Sequence, residues 1–249
     1  MKQPEKTFEV KASPAWIWGL PLLCLLLFAV IYFGDINREL FFAINSFAYN
    51  FEDKLWALLT NLSDGLISFV LLLPFIYKKP QYIWSVLLAV ILFTIFGQTV
   101  KHILHIPRPP QILAPHEVHL VGPDWGANAF PSGHASMIFN LAGVFALTTS
   151  KKWLRIILIA AASIIAFTRV AVGVHWPLDV VAGAALGWIT VWMGLKIAKK
   201  TPWGWGSVAQ KILGAILLIA CVVLFFLDYT GHANIMREQR LFALVFFVF

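Results

Sequence analysis

The sequence predicts an all-α bundle of membrane-spanning helices, and three observations support this class. Hydrophobic residues make up 60% of the 249 residues, charged residues make up only 12%, and the mean hydropathy is +0.80. A soluble domain is typically about 45–50% apolar and about 25% charged. The apolar residues also fall in runs close to the roughly 20 residues that a helix needs to cross a bilayer. These values exclude a disordered chain, a small disulfide-bonded secreted domain and an ordinary soluble enzyme.

Seven apolar runs are predicted to span the membrane, six forming the core and a shorter seventh lying near the C-terminus. In chain order they are Trp16–Phe33, Leu58–Tyr77, Tyr82–Val100, Ser132–Thr149, Trp153–Val172, Leu178–Leu195 and Ile212–Leu227. The first run is too long for a cleaved signal peptide, and no small-residue cleavage site follows it. The apolar tail Leu241–Phe249 is too short to span and is expected at the interface or against the bundle.

We expect one integral-membrane domain over residues 1–249, with a core from about 55 to about 200 and an extension from about 201 onward. Between the first two spans, Leu40, Ile44, Phe47 and Phe51 repeat at helical spacing among charged residues. This pattern fits a short interfacial amphipathic helix as well as it fits an ordinary loop. Asp64 either lines a substrate cavity or caps a helix, and capping is the favoured role.

The basic residues indicate orientation rather than a nucleic-acid partner. The net charge is +7, but the lysines and arginines fall between apolar runs instead of clustering on one face. Most of them lie in segments on the same side as the N-terminus, which predicts a cytoplasmic N-terminus. The segments between the third and fourth spans, and between the fifth and sixth, then both face the exterior.

These two outer segments hold most of the remaining unusual polar residues. They are Lys101, Arg108, Ser132, Gly133, His134, Thr168, Arg169, His175 and Asp179. Arginine presents a planar fork of donors to phosphate oxygens, and lysine adds a point charge. Ser132 and Gly133 open the fourth span, where the free N–H groups of a helix start attract anions. Together they predict a phosphate cradle.

The two histidines divide the chemistry. Asp179, one turn after His175, can accept a proton from one ring nitrogen and leave the other to attack phosphorus. His134, on a different helix, can protonate the leaving oxygen. Because phosphoryl transfer needs mainly positioning and charge neutralisation, the three cations can support it without a metal or another cofactor.

The three blocks, in this order, resemble the signature of the type 2 phosphatidic acid phosphatase (PAP2) superfamily: K-x6-R-P, P-S-G-H and S-R-x5-H-x3-D. The resemblance implies that Lys101, Arg108, Ser132, Gly133 and Arg169 bind phosphate. It also implies that His134 is the acid, His175 the nucleophile and Asp179 its orienting partner. The chain departs from the family at Thr168, where serine is usual, and in its seventh span and tail.

The resemblance therefore implies a membrane lipid phosphatase that forms a phosphohistidine and works on the outer face. Undecaprenyl pyrophosphate is the favoured substrate, with phosphatidylglycerol phosphate, phosphatidate and lipid A phosphate as alternatives. A phosphotransferase that passes the group to a second lipid would use the same residues. An anion transporter is a more remote reading, because it needs cations but not the two histidines with Asp179.

Three further expectations concern the remaining residues. The five other histidines, His102, His105, His116, His119 and His232, are expected to be non-catalytic. Gly183 and Gly187 form a small-residue pair suited to helix packing. Trp125, with the loop Gln111–Ala129, is a candidate contact for the lipid headgroup.

Since His175 must be neutral and His134 protonated, activity should follow a bell-shaped dependence on pH.

Overall fold

The computed structural model describes residues 9–124, 126, 128–228 and 230–248, and over these ranges the chain is helical without any strand. The predicted all-α class is therefore confirmed, while Trp125 lies outside the described residues. The helices are α1 (Pro14–Phe33), α2 (Asn37–Ala48), α3 (Asp53–Asn61), α4 (Gly65–Val70), α5 (Pro80–Leu104), α6 (Pro109–Ile112), α7 (Gly133–Thr148), α8 (Lys152–Ala171), α9 (Pro177–Lys200), α10 (Ser207–Phe226) and α11 (Met236–Phe247).

Five of these helices, α1, α5, α8, α9 and α10, are long and apolar enough to cross a membrane. Each matches a predicted run, and α10 begins five residues before the predicted seventh span. The predicted fourth span is α7, which has only 16 residues but is buried along almost its whole length. A helix surrounded by protein needs no full bilayer thickness of its own, because its neighbours shield its ends.

The predicted span Leu58–Tyr77 is bent in the structure rather than one straight helix. The segment forms α3 and α4, followed by a 3-10 turn at Leu73–Phe75, and the two parts meet at 57°. Asp64 causes the break, because its carboxylate accepts hydrogen bonds from the N–H groups of Leu66 and Ile67 and starts a new helix. The favoured capping role of Asp64 is thereby confirmed.

Helix α9 packs against α1, α5 and α7, and glycines let its backbone approach two of these neighbours closely. A Cβ on Gly183 would overlap the carbonyl oxygen of Ser132, and one on Gly187 would overlap that of Ser136. The packing role predicted for this pair is confirmed. Since Ser132 opens α7, the same contact brings the starts of α7 and α9 together.

Both ends of the buried helix α7 are fixed by hydrogen bonds. At its start, the N–H of Ser132 donates to the carbonyl oxygen of Asp179 at 3.0 Å. At its end, the buried guanidinium of Arg155 donates to the carbonyl oxygens of Ala146 and Thr149 at 2.8 and 2.6 Å. The Arg155 donors satisfy carbonyl groups that the C-terminal end of a helix leaves without intrahelical partners, and the Ser132 N–H, which the start of a helix leaves unpaired, finds its acceptor in α9.

The segment around Leu40 is helical, as the amphipathic reading predicts, but α2 buries a different face. Its buried residues are Phe41, Asn45 and Ala48, while Phe47 is exposed.

The C-terminal tail forms α11 and packs on α10. The Gln239 amide donates to the carbonyl oxygens of Leu224 and Leu227 at 2.7 and 2.8 Å, which caps the end of α10.

We expect Gly187→Ala to lower the free energy of unfolding by about 1–3 kcal/mol, because the added methyl group has to push α7 away from α9. The measurement is thermal unfolding of the purified protein in detergent. Gly19→Ala in α1 is the matched control, because none of the described atoms lies within 4 Å of its added Cβ. Equal stability of the two variants would contradict close packing at Gly187.

Candidate active site

Five helix ends meet on one side of the bundle and carry all eight predicted site residues. Lys101 lies in the last turn of α5, and Arg108 precedes α6. Ser132, Gly133 and His134 form the start of α7, and Arg169 lies in the last turn of α8. His175 and Asp179 flank the start of α9. The sequence places these residues far apart, and the antiparallel packing of the helices brings them to one face.

His175 is 1% exposed, and its Nδ1 lies 3.2 Å from a carboxylate oxygen of Asp179. The same oxygen accepts the N–H of Trp176 at 2.8 Å, so the first turn of α9 holds the carboxylate in place. Burial and the nearby charges of Arg108 and Arg169 hold the pKa of the His175 imidazole well below its ordinary value. The ring is therefore neutral at neutral pH, with Nε2 as the nitrogen suited to attack.

Two buried guanidinium groups carry donors that face no protein acceptor. Arg108 donates from one Nη to the carbonyl oxygen of Val174 at 3.2 Å, and Arg169 donates to the hydroxyl of Thr60 at 2.7 Å. Within the described ranges, Nε of Arg108 and both Nε and the second Nη of Arg169 have no hydrogen-bond partner. Buried donors are rarely left without acceptors, so these three nitrogens indicate that the site binds an anion.

Lys101 is half-buried, and its ammonium donates to the carbonyl oxygen of Asn128 at 3.0 Å. Asn128 belongs to the loop before α7 and has a φ of 70°, a left-handed conformation that asparagine tolerates. One bond leaves two of the three ammonium donors of Lys101 for other acceptors. The lysine thus ties this loop to the site and keeps its charge beside it.

The start of α7 offers an anion fewer free donors than its sequence suggests. The hydroxyl of Ser132 is 3.4 Å from the N–H of Ala135, which it caps, and the Ser132 N–H is bonded to Asp179. What this residue can still offer an anion is its hydroxyl hydrogen. Gly133 and His134 are both partly exposed at the helix start.

Thr168 stands where the resembled family usually has serine, and its hydroxyl is engaged within its own helix instead of being free for a phosphate. It is fully buried, and its hydroxyl donates to the carbonyl oxygen of Ile165 in the same helix at 2.6 Å. The extra methyl group is therefore accommodated by packing.

The sequence does not reveal several residues that support the site, because their partners are distant in the chain. Thr60 accepts a hydrogen bond from Arg169. Asn45 of α2 donates to the carbonyl oxygens of His119 and Ala171, both at 2.9 Å, and accepts the N–H of His119 at 2.8 Å. The one available signal is that Asn45 shares a helical face with Phe41 and Ala48, which is unusual for a polar residue in a buried stripe.

Four of the other histidines lie apart from this cluster. His102, His105 and His116 are exposed. His119 stacks on Tyr49 with ring centroids 4.1 Å apart, and its Nε2 lies 2.7 Å from a carboxylate oxygen of Asp53. This pair joins the loop before α7 to α3.

Comparison with known proteins agrees with this geometry. Residues 82–203 match the PAP2 superfamily. An undecaprenyl-diphosphatase of Sulfolobus acidocaldarius is 34% identical over 185 residues, which are 70% of this chain and 87% of the relative. The chain belongs to the PAP2 superfamily. It is therefore a multi-pass membrane phosphatase whose reaction is hydrolysis of a phosphoric monoester or diphosphate, with a lipid phosphate as substrate.

Two further proteins are similar to this chain over part of its length. The crystal structure of Aquifex aeolicus LpxE has a TM-score of 0.56 and 32% identity, covering 65% of this chain and 95% of that one. A lipid A 4'-phosphatase of Bacteroides thetaiotaomicron is 39% identical over 75 residues, 30% of this chain and 33% of the relative. Residues beyond 203, with α10 and α11, lie outside the family match.

We expect Thr60→Val to lower kcat/KM about tenfold, because a buried guanidinium loses the acceptor that orients it. The measurement is phosphate release by the purified membrane phosphatase. The matched control is Thr99→Val, because Thr99 is exposed on α5 and its hydroxyl bonds only within its own helix. Unchanged activity in Thr60→Val would show that Arg169 needs no support from α3.

Proposed function

We propose that this PAP2 phosphatase removes the terminal phosphate of a long-chain lipid diphosphate, with undecaprenyl pyrophosphate as the favoured substrate. The observation that carries the proposal is the set of guanidinium N–H groups of Arg108 and Arg169 that find no partner among the described residues, beside the neutral imidazole of His175. A phosphoryl group between them would meet donors for its oxygens and a nucleophile for its phosphorus.

The proposed reaction has two steps. In the first, Nε2 of His175 forms a bond to the terminal phosphorus, and the bond from that phosphorus to the bridging oxygen breaks. His134 donates a proton to this oxygen, so that the lipid monophosphate leaves. In the second step, His134 takes a proton from water, the water oxygen attacks phosphorus, and the bond to His175 breaks to release inorganic phosphate. Asp179 orients the imidazole and offsets its positive charge in both steps.

Two features support a lipid with a long hydrocarbon chain. An apolar groove of about 300 Å³ lies between α1, α2, α7, α8 and α9. It borders the site, because its lining residues Val170 and Val180 are the chain neighbours of Arg169 and Asp179. The second feature is the similarity to the undecaprenyl-diphosphatase of Sulfolobus acidocaldarius over most of that protein's length.

We also propose that the site opens on the outer face of a bacterial inner membrane, with the N-terminus in the cytoplasm. The support is the distribution of basic residues. Lys151, Lys152, Lys199 and Lys200 lie at the ends of α7, α8 and α9 opposite the site. Basic residues favour the cytoplasmic side.

We expect His175→Asn to lower phosphate release from undecaprenyl pyrophosphate by at least about 10³-fold, because the nucleophile is lost. The assay uses detergent-purified protein with EDTA present, and wild-type activity should persist because the three cations supply the charge. His102→Asn, at an exposed histidine on α5, is the matched control.

The same assay separates the rival activities. A phosphorylated acceptor, formed in place of free phosphate when lipid A is added, would assign a phosphotransferase. Equal release by His175→Asn and wild type would remove His175 as nucleophile. A labelled protein intermediate that survives alkali but not acid is expected for the wild type alone.

We expect the acidic limb of kcat/KM to lie below pH 6.5, the ordinary imidazole value, since His175 has a lowered pKa in the folded protein. His175 loses its nucleophilic lone pair only as pH falls through that lowered value, so activity is retained at mildly acidic pH. The measurement is a pH profile of kcat/KM, with substrate ionisation followed separately by phosphorus NMR. An acidic limb centred above pH 6.5, unexplained by the substrate, would contradict this assignment.

A further inference from the structure

The segment between α10 and α11, beyond the family match, returns to the active site. The hydroxyl of Thr230 accepts a hydrogen bond from the amide of Asn61 at 3.2 Å and lies 3.3 Å from the side-chain oxygen of Gln239. Asn61 directly follows Thr60, whose hydroxyl supports Arg169. This segment is thus anchored on the same turn of α3 that orients a site arginine.

A second anchor lies on the other side of Arg169. Ile235 is 1% exposed and belongs to an apolar cluster with Val172 and Val174, the residues between Arg169 and His175. The N–H of Val121 donates to the carbonyl oxygen of Val172 at 3.1 Å, which places the loop of Gly122 against the same turn. The two anchors therefore hold the segment to both flanks of the site.

His232 lies between these anchors and is only 5% exposed. Its ring rests on Gly122, where a Cβ would overlap the imidazole, and Gly122 has a φ of 92° that favours glycine. Among the described residues its Nδ1 has no hydrogen-bond partner. A buried ring nitrogen without a partner, packed beside a phosphate site, indicates a ligand atom that completes its hydrogen bonding.

The electrostatics agree with this placement. Burial and the charge of Arg169 lower the pKa of the His232 imidazole, and Asp228 opposes that shift. His232 also interacts electrostatically with His134, the proposed acid. At neutral pH the ring is neutral and keeps one N–H, which can be donated to an anionic oxygen.

We propose that His232 is a substrate-binding residue that donates a hydrogen bond from Nδ1 to the second phosphate of a diphosphate substrate. The inference rests on the proposed function, in which His134 protonates the bridging oxygen. The second phosphate is attached to that oxygen, and His232 approaches the site beside His134 and Arg169. A monophosphate lipid has no group at this position, so the contact selects diphosphates.

The test compares farnesyl diphosphate with farnesyl monophosphate, which share one hydrocarbon chain. We expect His232→Ala to lower kcat/KM for the diphosphate about tenfold and to change that for the monophosphate less than about twofold. His232→Asn, which keeps a donor near the position of Nδ1, should recover most of the diphosphate activity. His116→Ala, at an exposed histidine, is the matched control.

A binding measurement keeps the test independent of turnover. Inorganic pyrophosphate should inhibit the wild type about tenfold more strongly than it inhibits His232→Ala, while inhibition by inorganic phosphate stays equal in the two proteins. Equal losses on both farnesyl substrates, or an unchanged diphosphate rate in His232→Ala, would overturn the role of His232. A wild type that releases phosphate from neither substrate would overturn the proposed function together with this role.

Discussion

The hydrogen bonds of one short segment, Val174–Asp179, hold the whole site together. The carbonyl oxygen of Asp179 accepts the N–H of Ser132, which joins the start of α9 to the start of α7. The carbonyl oxygen of Val174 accepts a donor of Arg108, and the indole of Trp176 donates to the carbonyl oxygen of Pro107 at 2.9 Å. The three motif blocks are therefore bonded to each other through backbone groups, while most of the side chains proposed to bind phosphate keep donors for the substrate.

This arrangement concentrates more positive than negative charge. Lys101 and Arg108 lie near the buried carboxylate of Asp179, which is already engaged with His175 and Trp176, and Arg169 lies near Asp64. Burying unpaired cations near lipid is costly, so an anionic phosphate stabilises the folded site when it binds. The same preorganised charge favours a transition state whose negative charge spreads over the phosphoryl oxygens.

Two further elements, α2 and the segment after α10, pack against the site. Helix α2 fixes the loop before α7 through Asn45, and the segment after α10 packs on the turn between α8 and α9 through Ile235. Both contact the turn that follows Arg169. The proposed catalytic residues come from the region of the family match, whereas the segment that carries Ile235 lies outside it. Substrate preference can therefore change through this segment without altering the proposed catalytic groups.

The amino-acid sequence by itself determined the fold class, most of the spans and the family, and it predicted which residues meet at the candidate site. Apolar runs of bilayer length dictate helices whatever their neighbours, and the spacing of Lys101, Arg108, His134, Arg169, His175 and Asp179 carries the family signature. Tertiary structure decided the bend at Asp64, because a capping carboxylate outweighs continuous hydrophobicity once α3 can pack separately. It also decided the support of Arg169 by Thr60 and the place of His232, which joins the site although its sequence context marks it as an ordinary loop histidine. Both contacts, Thr60 with Arg169 and Asn61 with Thr230, link residues more than one hundred positions apart. Only the packing of the helices brings them within hydrogen-bonding distance.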